Sequence, residues 1–366
     1  MSQSNTVALF RGDNLRLYKS VELSPHAHLN LITGSNAAGK TTLLEGLYWL
    51  GRTKSFRAGD AGELAGAAGK HWSLFAQVQS SMGVADKIGA GWDGETVGLR
   101  YNEQRARSAD LARVLAIQLI DPVGHRLIED GPGYRRSYLD WGVFHVEHSF
   151  LGAWQRYQRA LRQRNQALRL GQPDSAVSAW DPELADMAAV VTAARVRHVE
   201  ALAGPFTKEV ERLLEQSDAR LSLSPGWNEE RGFASSLADQ LQQHRRLSTT
   251  AIGPHRAELR LAMAGQRLKG RVSRGQQKLL VAALVLAQCT ILIEAGLPPP
   301  VVLVDDFSAE LSTEYQSRLA TALAAYPGQV FVTAFQKPQA FETMPVKMFH
   351  VEHGRLSVVE QSENGR

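Results

Sequence analysis

Leu29-Asn30-Leu31-Ile32-Thr33-Gly34-Ser35-Asn36-Ala37-Ala38-Gly39-Lys40-Thr41-Thr42 is an apolar run that closes on G-x-x-x-x-G-K-T, and a helix-like pattern of Leu43, Leu44, Leu47 and Tyr48 follows it. Strand, glycine-bounded loop and helix start are the context that a phosphate-binding P-loop requires. Gly34 and Gly39 permit backbone angles that other residues resist. The N–H groups of Ser35, Asn36, Ala37 and Ala38 can then turn inward onto phosphate oxygens, and the helix start adds its positive end. Lys40 supplies a mobile charge for the β- and γ-phosphates, and the Thr41 hydroxyl is a ligand for Mg²⁺. Gly34 through Thr42 is therefore the candidate nucleotide-binding segment. A chance match in a glycine-rich chain would lack the strand before it and the helix after it.

A chain of 366 residues suits roughly two domain-sized units. A hydrophobic content of 44% supports a packed core rather than disorder. The net charge of +4, with a pI near 9.2, permits an anionic partner without requiring one. Cys289 is the single cysteine, so no intrachain disulfide forms and a reducing compartment fits; its apolar surroundings predict a buried thiol. Met1–Asn5 lacks the basic-then-apolar layout of a signal peptide. The longest uncharged apolar stretch, 279–293, falls short of the about 20 residues that span a bilayer and reads as a buried helix.

Upstream of the loop, 6–23 and 29–33 predict two strands around a turn at Pro25. Downstream, 51–57 is a basic loop in which Arg52, Lys54 and Arg57 lie within reach of phosphate or simply face solvent. The glycine-rich 59–101 predicts antiparallel strands with turns such as Asp93-Gly94, and 114–120 a further strand. Gly131-Pro132-Gly133-Tyr134-Arg135-Arg136 is an anion or interface site, or a surface pair at a helix start. Composition shifts near residue 150. Arginines 156, 159, 162, 164 and 169 come with no acidic residue across 151–172, while Trp154, Tyr157, Leu161 and Leu168 mark one apolar helix face. That basic side is a solvated face or a DNA contact. Asp181-Pro182 starts another helix, with a break expected at Gly204-Pro205. Strand patterns return after Gly253-Pro254-His255-Arg256. The expected division is an N-terminal part at 1–149, a helical insertion at 150–250 and a C-terminal part at 251–366.

Two further motifs complete a constellation. Val301-Val302-Leu303-Val304-Asp305-Asp306 is a buried-strand run ending in two carboxylates, a Walker B pattern. Asp305 would hold Mg²⁺, and Asp306 would polarise the attacking water. Ser273-Arg274-Gly275-Gln276 precedes a strongly apolar helix; Ser273, Gly275 and Gln276 suit a γ-phosphate, or else cap a core helix. P-loop, long insertion, S-x-G-Q and Walker B is the order of ATP-binding-cassette heads.

The chain resembles the RecF family of SMC-like recombination mediator ATPases over nearly its full length. The resemblance rests on the P-loop and on LIEDGPGYRRSYLDW (127–141), LRQRNQAL (161–168), GPHRAEL (253–259), SRGQQKLL (273–280), LVDDFSAEL (303–311) and MFHVEHGRL (348–356). It implies an α/β fold: an ABC-type (SMC-like) P-loop ATPase head with an inserted helical arm domain. It also implies a slow, DNA-stimulated ATPase that uses ATP and Mg²⁺, resides in the cytoplasm rather than at a membrane, and forms an ATP-dependent homodimer. The partners it implies are DNA, particularly duplex beside single-strand gaps, together with RecO and RecR, for loading the RecA recombinase. In such a dimer the signature serine of one chain, here Ser273, caps the nucleotide of the other. Ala37 stands where glycine is common, Asp306 where most cassette ATPases have Glu, and Ser312 where an Asp usually closes the loop after Walker B. Phe-His-Val-Glu-His occurs at both 144–148 and 349–353, which invites a metal reading, but coincidence is the reading adopted.

Three alternatives compete. A transporter ATPase subunit is disfavoured because no histidine follows the strand 330–333. A chromosome-structure ATPase would need a longer arm than about 100 residues provide at about 1.5 Å each. A nucleotide-gated DNA clamp with vestigial hydrolysis would share every motif.

Overall fold

In the computed structural model, which describes residues 5–80, 83 and 85–359, Leu29–Thr33 is a buried strand inside a six-stranded sheet. Lys347–Glu352 and Val330–Ala334 flank it, both parallel to it. Val301–Val304 and Ile117–Ile120 follow on one side, again parallel, and the antiparallel Arg355–Val359 closes the other. Strands covered on both faces must be apolar throughout, and every residue of Leu29–Thr33, Val301–Val304 and Val330–Ala334 is buried. The strand order places Val330–Ala334 between the P-loop strand and the Walker B strand, and all three end at the same edge. Open α/β sheets hold ligands at that edge.

A second, antiparallel sheet orders Tyr18–Leu23, Thr6–Leu15, Trp72–Gln79, Ala85–Trp92, Val97–Tyr101 and Gln104–Arg105. Alternation along Trp72–Gln79 buries Trp72, Leu74, Ala76 and Val78. The segment 6–23 is a hairpin, so the turn expected at Pro25 is preceded by one at Arg16-Leu17. That turn carries no glycine, proline or Asn-Gly; Asn14 and Arg16 adopt the left-handed conformation instead. The P-loop helix Lys40–Arg52 is buried from Thr42 to Gly51 and joins the core cluster that includes residues of both sheets. The strand expected at 114–120 is shorter, Ile117–Ile120, because Ser108–Val114 is helical.

The helix Arg274–Glu294 is long and apolar enough to cross a membrane, the one such helix among the described residues, and most of it is buried as a core helix. Cys289 sits on it, fully buried, and burial pushes its thiol up to about 12.

The chain divides into two units. The first comprises Met1–His125, Glu209–Glu215 and Ser273–Arg366; the second comprises Arg126–Lys208 and Gln216–Val272. The second unit thus starts before the composition shift at 150 and runs past 250. It is also not wholly helical, because Arg220–Ser224, Glu258–Met263 and Gln266–Arg267 form a three-stranded sheet within it. Arg135 and Arg136 explain the early boundary. Arg135 makes a two-pronged ion pair with Glu258 at 2.7 and 3.1 Å, and Arg136 donates to the Ala257 carbonyl at 2.9 Å. Both brace this unit from within. The helix Asp181–Leu214 runs unbroken through Gly204-Pro205. Leu202, Phe206, Val210 and Leu213 keep one buried stripe across the proline, so packing outweighs the lost backbone hydrogen bond.

Three histidines of the second unit are held neutral. Burial lowers His198, His244 and His255 each to about 4. His255 Nε2 lies 3.0 Å from the Thr250 carbonyl, which can only accept, so that nitrogen carries the proton and Nδ1 accepts from the Tyr157 hydroxyl at 2.6 Å. A base whose folded pKa lies below its unfolded value of about 6.5 makes the unfolded state bind more protons between the two. The stability of this unit is therefore expected to fall as pH drops from about 6.5 to about 4 and to be flat above that window. Urea midpoints read from tryptophan fluorescence across pH 4–8 check this; a midpoint that does not change from pH 7 to 4.5 would contradict it.

Candidate nucleotide site

The loop between Thr33 and Lys40 is built as a cradle. Gly34 and Gly39 have φ of 149° and 120°, and Ala37 is left-handed at 62°. Side chains at the two glycines would collide: a Cβ on Gly34 would lie 2.2 Å from the Val351 carbonyl oxygen, and one on Gly39 would lie 2.8–3.0 Å from the Tyr18 phenol. Ala37 meets the same backbone demand without glycine, which costs about 1–2 kcal/mol. The Lys40 ammonium donates to the carbonyls of Gly34 at 2.7 Å and Ser35 at 2.8 Å, so it lies within the loop. Burial lowers its pKa, and the charges of Asp306 and Asp305 oppose that shift.

The Walker B acids divide into two environments. Asp305 is buried, and its Oδ1 accepts from the Thr41 hydroxyl at 3.0 Å and the Thr333 hydroxyl at 2.7 Å. Burial raises its pKa, against those two donors. Asp306 is exposed and left-handed at φ 50°, and its N–H donates to Thr333 Oγ1 at 2.8 Å. One carboxylate is thus fixed beside the Thr41 hydroxyl, as a hard cation shared with phosphate oxygens would need, and the other is free to face water. The lysine, the hydroxyl and the two carboxylates converge at the sheet edge, so the residues fit a Mg²⁺-bound nucleoside triphosphate. Among the described residues no cluster of three or more His, Cys, Asp or Glu could hold a metal on protein ligands alone.

Sequence reading missed Thr333, because a threonine at a strand end carries no signal until the strand order puts it between two motifs. Of the basic loop, Arg57 lies 3.7 Å from the buried Glu45 of the P-loop helix. Among the described residues, Ser273, Gly275 and Gln276 make no hydrogen bond to the P-loop. Ser273 Oγ accepts from the Gln276 N–H at 3.3 Å and Gln276 Oε1 accepts from the Ser273 N–H at 2.9 Å, a capping box that starts the helix. Ser312 likewise caps Thr313–Ala324, accepting from the Tyr315 N–H at 3.3 Å. The repeated pentapeptide ends a helix at 144–148 and forms a strand and turn at 349–353, which suits coincidence.

Residues 7–357 match the family model described as RecF/RecN/SMC N terminal domain. The chain is 38% identical over 352 residues to the DNA replication and repair protein RecF of Thioalkalivibrio sulfidiphilus, covering 94% of this chain and 97% of that one. It is 40% identical over 346 residues to the RecF protein of Pseudomonas aeruginosa strain UCBPP-PA14, covering 92% and 93%. A solved structure of the recombination mediator protein RecF with ATP, from the RecFOR pathway, superposes with a TM-score of 0.84 at 23% identity, over 98% of both chains. The Smc head domain of Pyrococcus furiosus, with an extended coiled coil, superposes at 0.60 and 15% identity, over 97% and 96%. The two solved structures speak for the fold, an SMC-type head. The match along nearly the whole length, together with a P-loop and Walker B pair meeting at one sheet edge, shows that the chain belongs to the RecF family.

Proposed function

We propose that this chain is an ATP-driven DNA-binding switch of recombinational repair and replication-fork maintenance. In this reading ATP and Mg²⁺ bind at Gly34–Thr42, with Thr41 and Asp305 holding the cation and Asp306 activating water. The ATP-bound chain forms a homodimer in which Ser273, Gly275 and Gln276 of one copy complete the site of the other. The dimer sits on duplex DNA beside single-strand gaps in the cytoplasm and, with RecO and RecR, helps load the RecA recombinase; hydrolysis is slow and stimulated by DNA. The convergence of Lys40, Thr41, Asp305 and Asp306 in a chain of this family supports it most directly. The test is sedimentation of the protein with ATP, with ADP and without nucleotide, combined with turnover in the presence and absence of gapped DNA. ATP-dependent dimers and DNA-stimulated turnover are expected. A monomer that hydrolyses ATP at full rate would overturn the shared site, and dimers without turnover would favour a nucleotide-gated clamp.

The helix Phe150–Arg169 offers a surface for DNA. Arg156 is taken by Glu183 at 2.8 and 2.9 Å, and Arg164 is buried against Asp181 at 2.6 Å. Arg159, Arg162 and Arg169 remain exposed on one helical face, with no ion pair among the described residues. Changing these three to Glu is expected to weaken ATP-dependent DNA binding at least about tenfold and to flatten its salt dependence, with nucleotide affinity unchanged. Filter binding at 50–200 mM salt measures this, and unaltered affinity would leave the face as merely solvated.

A further inference from the structure

Lys278 lies early in the helix that Ser273 caps, and only 3% of it is exposed. Its ammonium donates to the carbonyls of Asp306 at 2.6 Å, Phe307 at 3.1 Å and Ala309 at 3.0 Å. All three of its donors are thereby used, and carbonyl dipoles rather than a carboxylate hold the charge. Desolvation pulls it down to about 8, against Asp306, Glu310, Asp305 and Asp121. A buried charge of this kind persists only where it is fully hydrogen-bonded.

The segment it grips needs holding. Asp306 and Glu310 are both left-handed, at φ 50° and 66°, a conformation that non-glycine residues keep only when their surroundings enforce it. The Asp306 main chain is clamped at both ends, its N–H by the Thr333 hydroxyl and its carbonyl by Lys278. The same helix also meets the far end of the segment, where a Cβ on Gly275 would lie 2.7 Å from the Glu310 carbonyl oxygen. Rotation or sliding of the helix start would therefore drag the Asp306 backbone with it.

We propose that Lys278 is a positioning residue that fixes the Asp306 carboxylate toward its own nucleotide and makes that position follow the helix start carrying Ser273 and Gly275. In the shared-site dimer, contact of one chain's signature helix with its partner's nucleotide would then bear on hydrolysis at that chain's own P-loop. The proposal rests on the reading of Asp306 as the hydrolytic base.

The full-length variants Lys278→Met, Asp306→Asn and the pair together test it, with nucleotide affinity, kcat and KM measured on each. Lys278→Met is expected to bind ATP within about twofold of the parent while kcat falls at least about tenfold and KM barely moves. The double variant should be no slower than Asp306→Asn alone, because Lys278 acts through that carboxylate. A purely structural role would lower the amount of folded protein and leave kcat per bound nucleotide intact, which would overturn the proposal. Additive losses in the double variant would also overturn it. If Asp306→Asn binds and hydrolyses normally, the base assignment falls and the proposal with it; if only Lys278→Met is normal, the assignment stands and Lys278 alone is removed. Should Lys278→Met fail to fold, Lys278→Gln, which keeps two donors on a shorter stem, is read by the same criteria.

Discussion

Lys40→Ala is expected to lose ATP affinity by roughly a hundredfold or more. The ammonium supplies the mobile cation inside the cradle, and each hydrogen bond to a charged group contributes about 1.5–3 kcal/mol. Without two such bonds to phosphate, most of the affinity of an ordinary nucleotide site is gone. The ammonium also ties together the carbonyls of Gly34 and Ser35, so alanine loosens the loop that presents the N–H groups. Both effects act in the same direction. Titration with a fluorescent ATP analogue measures the loss, and circular dichroism should show the variant folded, since Lys40 is not part of the apolar core. Parental affinity in a folded Lys40→Ala protein would sink the cradle as the nucleotide site.

Asp140→Ala is expected to destabilise the second unit by about 3–5 kcal/mol. Arg195 is 1% exposed, pairs with Asp140 at 2.8 and 2.9 Å, donates to the Pro254 carbonyl at 2.7 Å and lies over the Trp154 ring. Removing the carboxylate strands a buried guanidinium beside Arg136, whose charge already opposes it. Replacing the pair together, Asp140→Leu with Arg195→Met, should recover much of the loss, because no uncompensated charge then remains. Urea unfolding followed by tryptophan fluorescence is the measurement. An Asp140→Ala midpoint equal to the parent's would mean that water reaches Arg195.

The chemistry was legible in the sequence where it is written as short contiguous words. Leu29–Thr42 and Val301–Asp306 carry both their strand and their functional groups in one run, so their pairing could be read from the residues alone. Ser273-x-Gly275-Gln276 was legible both as a γ-phosphate motif and as a helix cap, because a capping box and a signature motif use the same letters; within one chain it forms the capping box. Thr333 and Lys278 were invisible for a different reason. Each hydrogen-bonds to Asp305 or Asp306 from 28 residues away, and only the strand order and the packing of a core helix bring them there. The hairpin at Arg16-Leu17 lacked turn residues, and the unbroken Pro205 helix had a breaker; in both cases tertiary packing overrode local preference. The unit boundary near 126 was hidden because the braces Arg135–Glu258 and Arg136–Ala257 span more than 100 residues.

The placement of Val330–Ala334 between the two motif strands has a cost for the sequences this protein can tolerate. Thr333 is the sole polar side chain on that strand, and side chains alternate in direction along it, so a slip by one residue would present Ala334 or Val332 to Asp305 instead. The tolerance of the active centre is therefore set by how tightly Phe331 and its neighbours fill the core beneath it. Trimming Phe331, which is fully buried, would let the strand drift, and the damage would surface as slower turnover in a protein that still folds. Residues with no chemistry of their own become, through that one hydroxyl, part of the candidate site's precision.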